Sequence, residues 1–414
     1  MARRWVQSTV FWPGWGRAMR WLAVAVAAGA AATAAEPAAI SIDADFPGGN
    51  IVVEKIHGDD VYVRQDLRDT SGWWFYWHFR VRNAGGRCLR LHFTNKNVLG
   101  PQGPCYSLDG GETWAWLGPK RSNIGEPPPS DGFAFRFPRD AADVRFCFAI
   151  PYVEANLRRF LDRHRGSSAW KLAELCKTAK GRSVELLHLG RVEGPADHRL
   201  AFACRHHACE SVASYVLEGL METVLAENET GRWFRRHVAI VAIPFVDKDG
   251  VEAGDQGKNR TPHDHNRDYA GPSIYPTVAA IKRFLPEWSA GRLDMAIDLH
   301  CPNLQDRVLQ FVGAPNQAIW PRALKLSQCL ESRQRGPLRH DAQRNLPFGV
   351  GWNTGGGLKN ASFSAWASTL PGIQVATTLE IPYAQVDNAP VSVDAARALG
   401  EDLANAIRCY FQAP

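Results

Sequence analysis

The chain has 414 residues, 45% of them apolar and 22% charged, which excludes a disordered or fibrous protein and makes two domains the default expectation. Of its formal charge of +6, four units come from Arg3, Arg4, Arg17 and Arg20, in a 35-residue leader without acids. The remaining +2 gives no electrostatic case for nucleic acid as a partner.

Residues 1–35 read as an export signal. A basic start is followed by the apolar run "WLAVAVAAGAAATAA", which ends in small residues with Ala32-Thr33-Ala34 as the cleavage pattern. Met19 offers a second start for a compact signal. The run is shorter than the roughly 20 residues a membrane span needs. The expectation is a periplasmic or extracellular protein with no stable membrane span in its mature form.

Residues 40–150 read as an antiparallel β-sandwich. "NIVVEKIHGDDVYVRQDL", "WWFYWHFRVRNAG", "CLRLHFTN" and "GFAFRFP" alternate or carry aromatic and β-branched runs. The aromatics Trp73 to Trp77 are expected to alternate between the core and an interface. Ser107-x-Asp109-x-Gly111-x-Thr113-Trp114 matches an Asp-box, and a single copy without propeller repeats predicts a hairpin turn.

From Tyr152 the period changes. "VEANLRRFLDRHR" is helical, and apolar strands then alternate with helices up to "VDAARALGEDLANAIRCYF", which places Leu399, Leu403, Ile407 and Tyr410 on one face. Residues 152–414 therefore predict an α/β domain with a mixed, largely parallel sheet flanked by helices. The long polar stretches 247–275 and 333–362 are where function is expected.

In such a sheet chemistry gathers past the carboxyl ends of strands. "LAFAC" is followed by His206, His207 and Glu210, "MAIDL" by His300, and "ATTLE" ends in Glu380. Two imidazoles and a carboxylate suit one Zn²⁺ and leave it a net positive charge. His207 and Glu210 share a strand-to-helix turn, and His300 supplies the distant third ligand, with His206 as the alternative. Glu380 is the carboxylate near the metal that can move a proton. Asp298 can orient His300. Arg260, Asn266 and Arg267 lie in one loop, where guanidinium groups can grip a substrate carboxylate and face a developing oxyanion.

These residues resemble the zinc carboxypeptidases, especially their cytosolic-carboxypeptidase-like branch, over nearly all of the mature length. The ordered matches are "WFYWHFRVRN", "YSLDGGETW", His207-x-x-Glu210, "DKDG", Asn266-Arg267, "DLHCP" and "TLEIPY". The resemblance implies a small β-sandwich followed by a carboxypeptidase domain. It makes His207, Glu210 and His300 zinc ligands and Glu380 the general base and then acid. Asn266 and Arg267 become the binders of a peptide's free C-terminal carboxylate, and Arg260 the residue polarising the scissile carbonyl. The family's substrate-binding tyrosine has no counterpart before Glu380; Tyr269 and Tyr383 are the substitutes at hand. Two other readings stay open: a zinc amidohydrolase of the deacylase or desuccinylase type, acting on N-acyl amino acids, and a non-catalytic peptide- or glycan-binding protein. Nine cysteines, among them Cys209 and Cys301 beside the ligands, form no C-x-x-C pair. These two read as small buried residues.

Overall fold

The computed structural model describes residues 39–354 and 361–412. The leader and its Ala32-Thr33-Ala34 pattern lie outside the described residues. Nine strands come first: β1 (Ser41–Asp43), β2 (Val52–His57), β3 (Asp60–Arg64), β4 (His78–Arg82), β5 (Cys88–Phe93), β6 (Cys105–Ser107), β7 (Ala115–Trp116), β8 (Gly132–Arg136) and β9 (Asp143–Cys147). They form a five-stranded sheet, β1-β4-β9-β6-β7, and a four-stranded sheet, β2-β3-β5-β8. Phe146 of β9 meets Phe133 and Phe135 of β8 at ring-centre distances of 5.0 Å, so the sheets share an aromatic core. Every pairing here is antiparallel except β3 with β5, which run parallel. The strand between them in sequence, β4, belongs to the other sheet, so β5 returns beside β3 in the same direction.

The Asp-box is the β6–β7 turn. Asp109 Oδ1 accepts bonds from Glu112 N and Thr113 N, both at 3.0 Å, and Ser107 Oγ accepts one from Gly111 N at 2.8 Å. The aromatic run is not a strand. Phe75 packs on Phe148 and Tyr383 while Trp77 packs on Phe93, so the run joins the sandwich to the second region.

The second region continues with α1 (Glu154–Arg163), β10 (Trp170–Lys177), β11 (Ser183–Gly190), β12 (His198–Cys204), α2 (Val212–Leu225), α3 (Glu229–His237), β13 (Val238–Ile243) and α4 (Lys248–Ala253). Then come α5 (Pro276–Ser289), β14 (Met295–His300), β15 (Gln310–Gly313), α6 (Trp320–Arg333), α7 (Phe363–Ala367), β16 (Val375–Glu380) and α8 (Val393–Gln412). The sheet order is β10-β11-β13-β12-β14-β16-β15. The four central strands are parallel and the outer pairings are antiparallel.

Alternate residues of each central strand enter different cores. Leu200 and Phe202 pack with α2, α6 and α8, whereas Ala201 and Ala203 pack with α5 and α7. This burial on both faces is why these strands are continuous apolar runs. Leu399, Leu403, Ile407 and Tyr410 are all buried on α8. Gly219 and Gly400 let α2 and α8 touch: a Cβ on Gly219 would meet Arg397 O at 1.9 Å. The stretch 247–275 is not a plain loop. Asp247 caps α4 by accepting a bond from Gly250 N at 3.0 Å, a signal carried by "DKDG" itself.

Candidate metal centre and cleft

The centre is built on sheet register. β12, β14 and β16 are adjacent and parallel, so their carboxyl ends share one edge. After Cys204 the chain turns at Arg205, whose φ is +62°. Its buried guanidinium holds the turn, donating to Tyr152 O at 2.8 Å and Ser214 Oγ at 3.2 Å. The residues that follow fall on opposite sides of the chain.

His207 Nδ1 lies 2.9 Å from Glu210 Oε1 and 3.1 Å from His300 Nδ1. His300 Nδ1 lies 2.7 Å from Glu210 Oε2. The far side of each ring faces a carboxylate: His300 Nε2 is 2.6 Å from Asp298 Oδ2, and His207 Nε2 is 3.5 Å from Asp264 Oδ1. Those carboxylates can each accept a proton from Nε2, while both Nδ1 atoms face Glu210. Burial opposes charge on His300, but Asp298 and Glu210 outweigh it and hold the imidazolium well above the ordinary range. Burial likewise opposes the charge of Asp298, yet His206 and His300 bring it down to about 2.

The donor set fits a metal. Ligand atoms of His207, Glu210 and His300 lie within 4.8 Å of one another, and all three residues are buried. Glu210 Oε2 has no geometrically sound hydrogen bond despite its closeness to His300, and Glu380 Oε2 has none either. Two neutral imidazoles with a carboxylate are the donors zinc takes when one coordination position is kept open.

His206 is no ligand of this set. Its Nδ1 is 2.8 Å from Asp298 Oδ1 and its Nε2 is 2.7 Å from Tyr269 Oη. Asp298 thus bridges His206 and His300. Cys209 touches Trp74 Nε1 and the Tyr383 hydroxyl, and burial pushes its thiol up to about 12. Burial raises the Cys301 thiol too. Neither is a thiolate.

A cleft of about 250 Å³ opens beside the cluster and is lined by His207, His300, Glu380, Asn266, Arg267 and Lys258, among others. Burial pushes the Glu380 carboxyl above its usual range, against the pull of His300. Asn266 and Arg267 lie on a 3₁₀ turn, His265–Arg267, capped by Asp264 Oδ1, which accepts a bond from Asn266 N at 3.0 Å. Asn266 Oδ1 accepts from Phe363 N at 2.9 Å, and its Nδ2 lies 3.1 Å from His300 Nε2. Arg267 is exposed in the cleft.

Arg260 does not line this cleft. Its guanidinium is held 3.1 Å from Asp69, 2.7 Å from Asp247 and 3.2 Å from Asp255, facing a second cavity of about 220 Å³ beside His265 and Tyr275. Three carboxylates, two of them buried, claim it. Besides Arg267, the cleft holds Lys258, whose Nζ is 3.1 Å from Glu210 Oε1 and 5.1 Å from the Trp74 ring centre. Burial opposes its charge, but Glu210 and Glu380 keep it protonated. Asp69, from the sandwich, steadies the preceding segment by accepting bonds from Gln256 N at 2.9 Å and Gly257 N at 2.8 Å. Tyr269 and Tyr383 are buried and line no part of the cleft.

Sequence reading missed Lys258 and Asp264. The signal for Asp264 was its place two residues before Asn266, the same spacing that joins Asp298 to His300. Lys258 carried no signal beyond its charge.

No protein-family model matches the chain. Cytosolic carboxypeptidase 6 of Caenorhabditis elegans is 23% identical over 282 residues, which cover 62% of this chain and 61% of that protein. An uncharacterized protein of Zymomonas mobilis is 24% identical over 361 residues, 85% of this chain and 90% of its own length. This chain thus spans about three-fifths of the length of the nematode relative. Among solved structures, a metallo-carboxypeptidase from Burkholderia cenocepacia superposes with a TM-score of 0.74 at 19% identity, covering 90% of this chain and 98% of that one. A metallo-carboxypeptidase from Pseudomonas aeruginosa gives 0.71 at 21% identity, over 89% and 98%. The chain has the carboxypeptidase fold and is similar in sequence to cytosolic carboxypeptidases.

Proposed function

We propose that the protein is a zinc carboxypeptidase, which removes the last residue of a peptide, through a peptide or isopeptide bond, from the end that bears a free carboxylate. The observation that carries this is the meeting of His207, Glu210 and His300 at one point, with Glu380 and Arg267 in the same cleft.

His207, Glu210 and His300 would hold the ion. Zinc supplies Lewis acidity there and lowers the pKa of water towards neutrality. Glu380 takes a proton from the attacking water and returns it to the leaving amine, a role helped by the raised proton affinity that burial gives it. Lys258 faces the negative charge that develops on the scissile carbonyl oxygen. Arg267 pairs with the terminal carboxylate. Asn266, whose Oδ1 accepts from Phe363 N, holds the turn that presents Arg267. Asp298 and Asp264 keep the protons of the two ligand imidazoles on Nε2.

The test compares hydrolysis of blocked dipeptides with that of N-acyl amino acids, alongside metal analysis of the wild type and His207→Ala. Release of the terminal residue from dipeptides, with about one zinc per chain lost in the variant, is expected. Turnover of N-acyl amino acids alone favours a deacylase, and absence of all turnover favours a binding protein. Export belongs to the same proposal, and a mature amino terminus at Ala35 checks it. Among the described residues no helix is long and apolar enough to cross a membrane.

A further inference from the structure

Trp352 is the most exposed large hydrophobic side chain among the described residues, at 61%, and it stands on the wall of the cleft. Its indole has neither a hydrogen bond nor a ring partner among them. A tryptophan this exposed buries only the smaller part of its apolar surface in the fold. The turn that carries it is nevertheless firmly held. Leu346 N donates to Phe311 O at 2.9 Å and Gly313 N to Leu346 O at 2.8 Å, which ties the turn to edge strand β15. Asn353 closes it, accepting from Gly349 N at 2.8 Å and donating through Nδ2 to Gly313 O at 2.9 Å. A fixed backbone thus presents a bare aromatic face to the cleft.

The charged lining residues that are described, Lys258, Arg267 and Glu380, all belong to the end that binds and cleaves. The remaining wall includes Val312, Pro315, Phe348, Trp352 and Ala365. With the terminal carboxylate on Arg267 and the scissile carbonyl beside His207 and Glu380, the side chain of the terminal residue faces that wall. A charged side chain finds no counter-charge among the described residues of that wall, whereas an aromatic one finds a stacking surface.

We propose that Trp352 is a specificity-determining residue and that it selects peptides ending in an aromatic or large apolar residue. The inference rests on the carboxypeptidase reading of the cleft, and its test uses binding so that the two can fail separately. The probe is the zinc-loaded full chain carrying Glu380→Gln, titrated by calorimetry with four peptides that differ only in ending with Phe, Ala, Glu or Lys. The Phe peptide is expected to bind about tenfold more tightly than the Ala peptide, and at least that much more tightly than the charged ones. Adding Trp352→Ala removes most of the Phe advantage while weakening the Ala peptide by less than about threefold, and Trp352→Phe keeps most of it. Equal binding of all four peptides, tighter binding of a charged terminus, a Phe advantage that survives Trp352→Ala, or no binding at all would overturn the proposal. Turnover by the wild type is read separately and bears on the carboxypeptidase reading alone.

Discussion

His300 and Glu380 are register partners, each the last residue of its strand, on the adjacent parallel strands β14 and β16. A metal-ligand candidate and a proton-transfer candidate are thus placed side by side by backbone pairing rather than by a loop. The register gives each a separate task and yields the first prediction. Glu380→Gln keeps the shape and the neighbouring ligands but cannot move a proton. It is expected to lower kcat by about 10²–10⁴-fold with zinc content unchanged. Glu380 must be ionised to act, and burial raises its pKa. Activity is therefore lost, as pH falls, above the ordinary carboxylate value of about 4.3. Measuring kcat/KM against pH together with metal content checks both points, and an acid limb at or below that value would contradict the placement of Glu380.

The imidazoles are oriented from behind, and this can be tested without turnover. Asp298 bonds both His206 and His300, and Asp264 faces His207 Nε2. Replacing either aspartate by asparagine should weaken zinc binding about 10–100-fold, by loosening the ring and lowering its basicity. Zinc binding also displaces a proton from His300, which Asp298 and Glu210 hold tightly. Apparent affinity should therefore rise with pH through neutrality. Competition with a chromophoric chelator reads both effects, and a flat pH dependence would mean that His300 is not a ligand.

Lys258 and Arg260 are two residues apart and are expected to fail in different ways. Lys258 sits in the cleft, so Lys258→Ala should cost about 10²–10³-fold in kcat, with the melting temperature near that of the wild type. Arg260 is enclosed by Asp69, Asp247 and Asp255. Removing it takes the cation from buried Asp247 and Asp255 and half-buried Asp69 and should cost about 3–5 kcal/mol of stability, while any folded fraction keeps its activity. Paired denaturant titrations and kinetics of the two variants decide between them. The reverse pattern would restore Arg260 to the reaction.

That pair also shows where sequence reading stopped. His207, Glu210, His300 and Glu380 were legible because each follows an apolar strand, and the carboxyl ends of neighbouring parallel strands meet. The buried face of α8 was legible from its period. Arg260 was not, because its partner Asp69 lies 191 positions away and belongs to the sandwich. Charge in a polar loop shows neither which way a side chain points nor which carboxylates surround it. The β3–β5 parallel pair escaped for a similar reason: alternation reveals a strand but not its neighbour. The two tyrosines were named for their chemistry, yet Tyr269 is drawn inward to His206 and Tyr383 to Cys209.

The Arg260 cluster has a consequence for stability. Burial and the neighbouring Asp69 push Asp255 up to about 6, although Arg68 and Arg260 pull it down. An unfolded aspartate titrates near 3.9. Between about pH 4 and pH 6 the folded protein keeps a proton here that the unfolded chain has lost, so this group's contribution to stability falls as pH rises through that window. Asp255→Asn removes the titration. Relative to the wild type it should gain stability by at most about 3 kcal/mol between pH 4 and pH 7, because each tenfold change in proton affinity is worth about 1.4 kcal/mol. Urea titrations of both proteins at the two pH values measure the difference. A gap that stays constant with pH, or one that moves against the variant, would show that Arg68 and Arg260 already keep Asp255 ionised at pH 4.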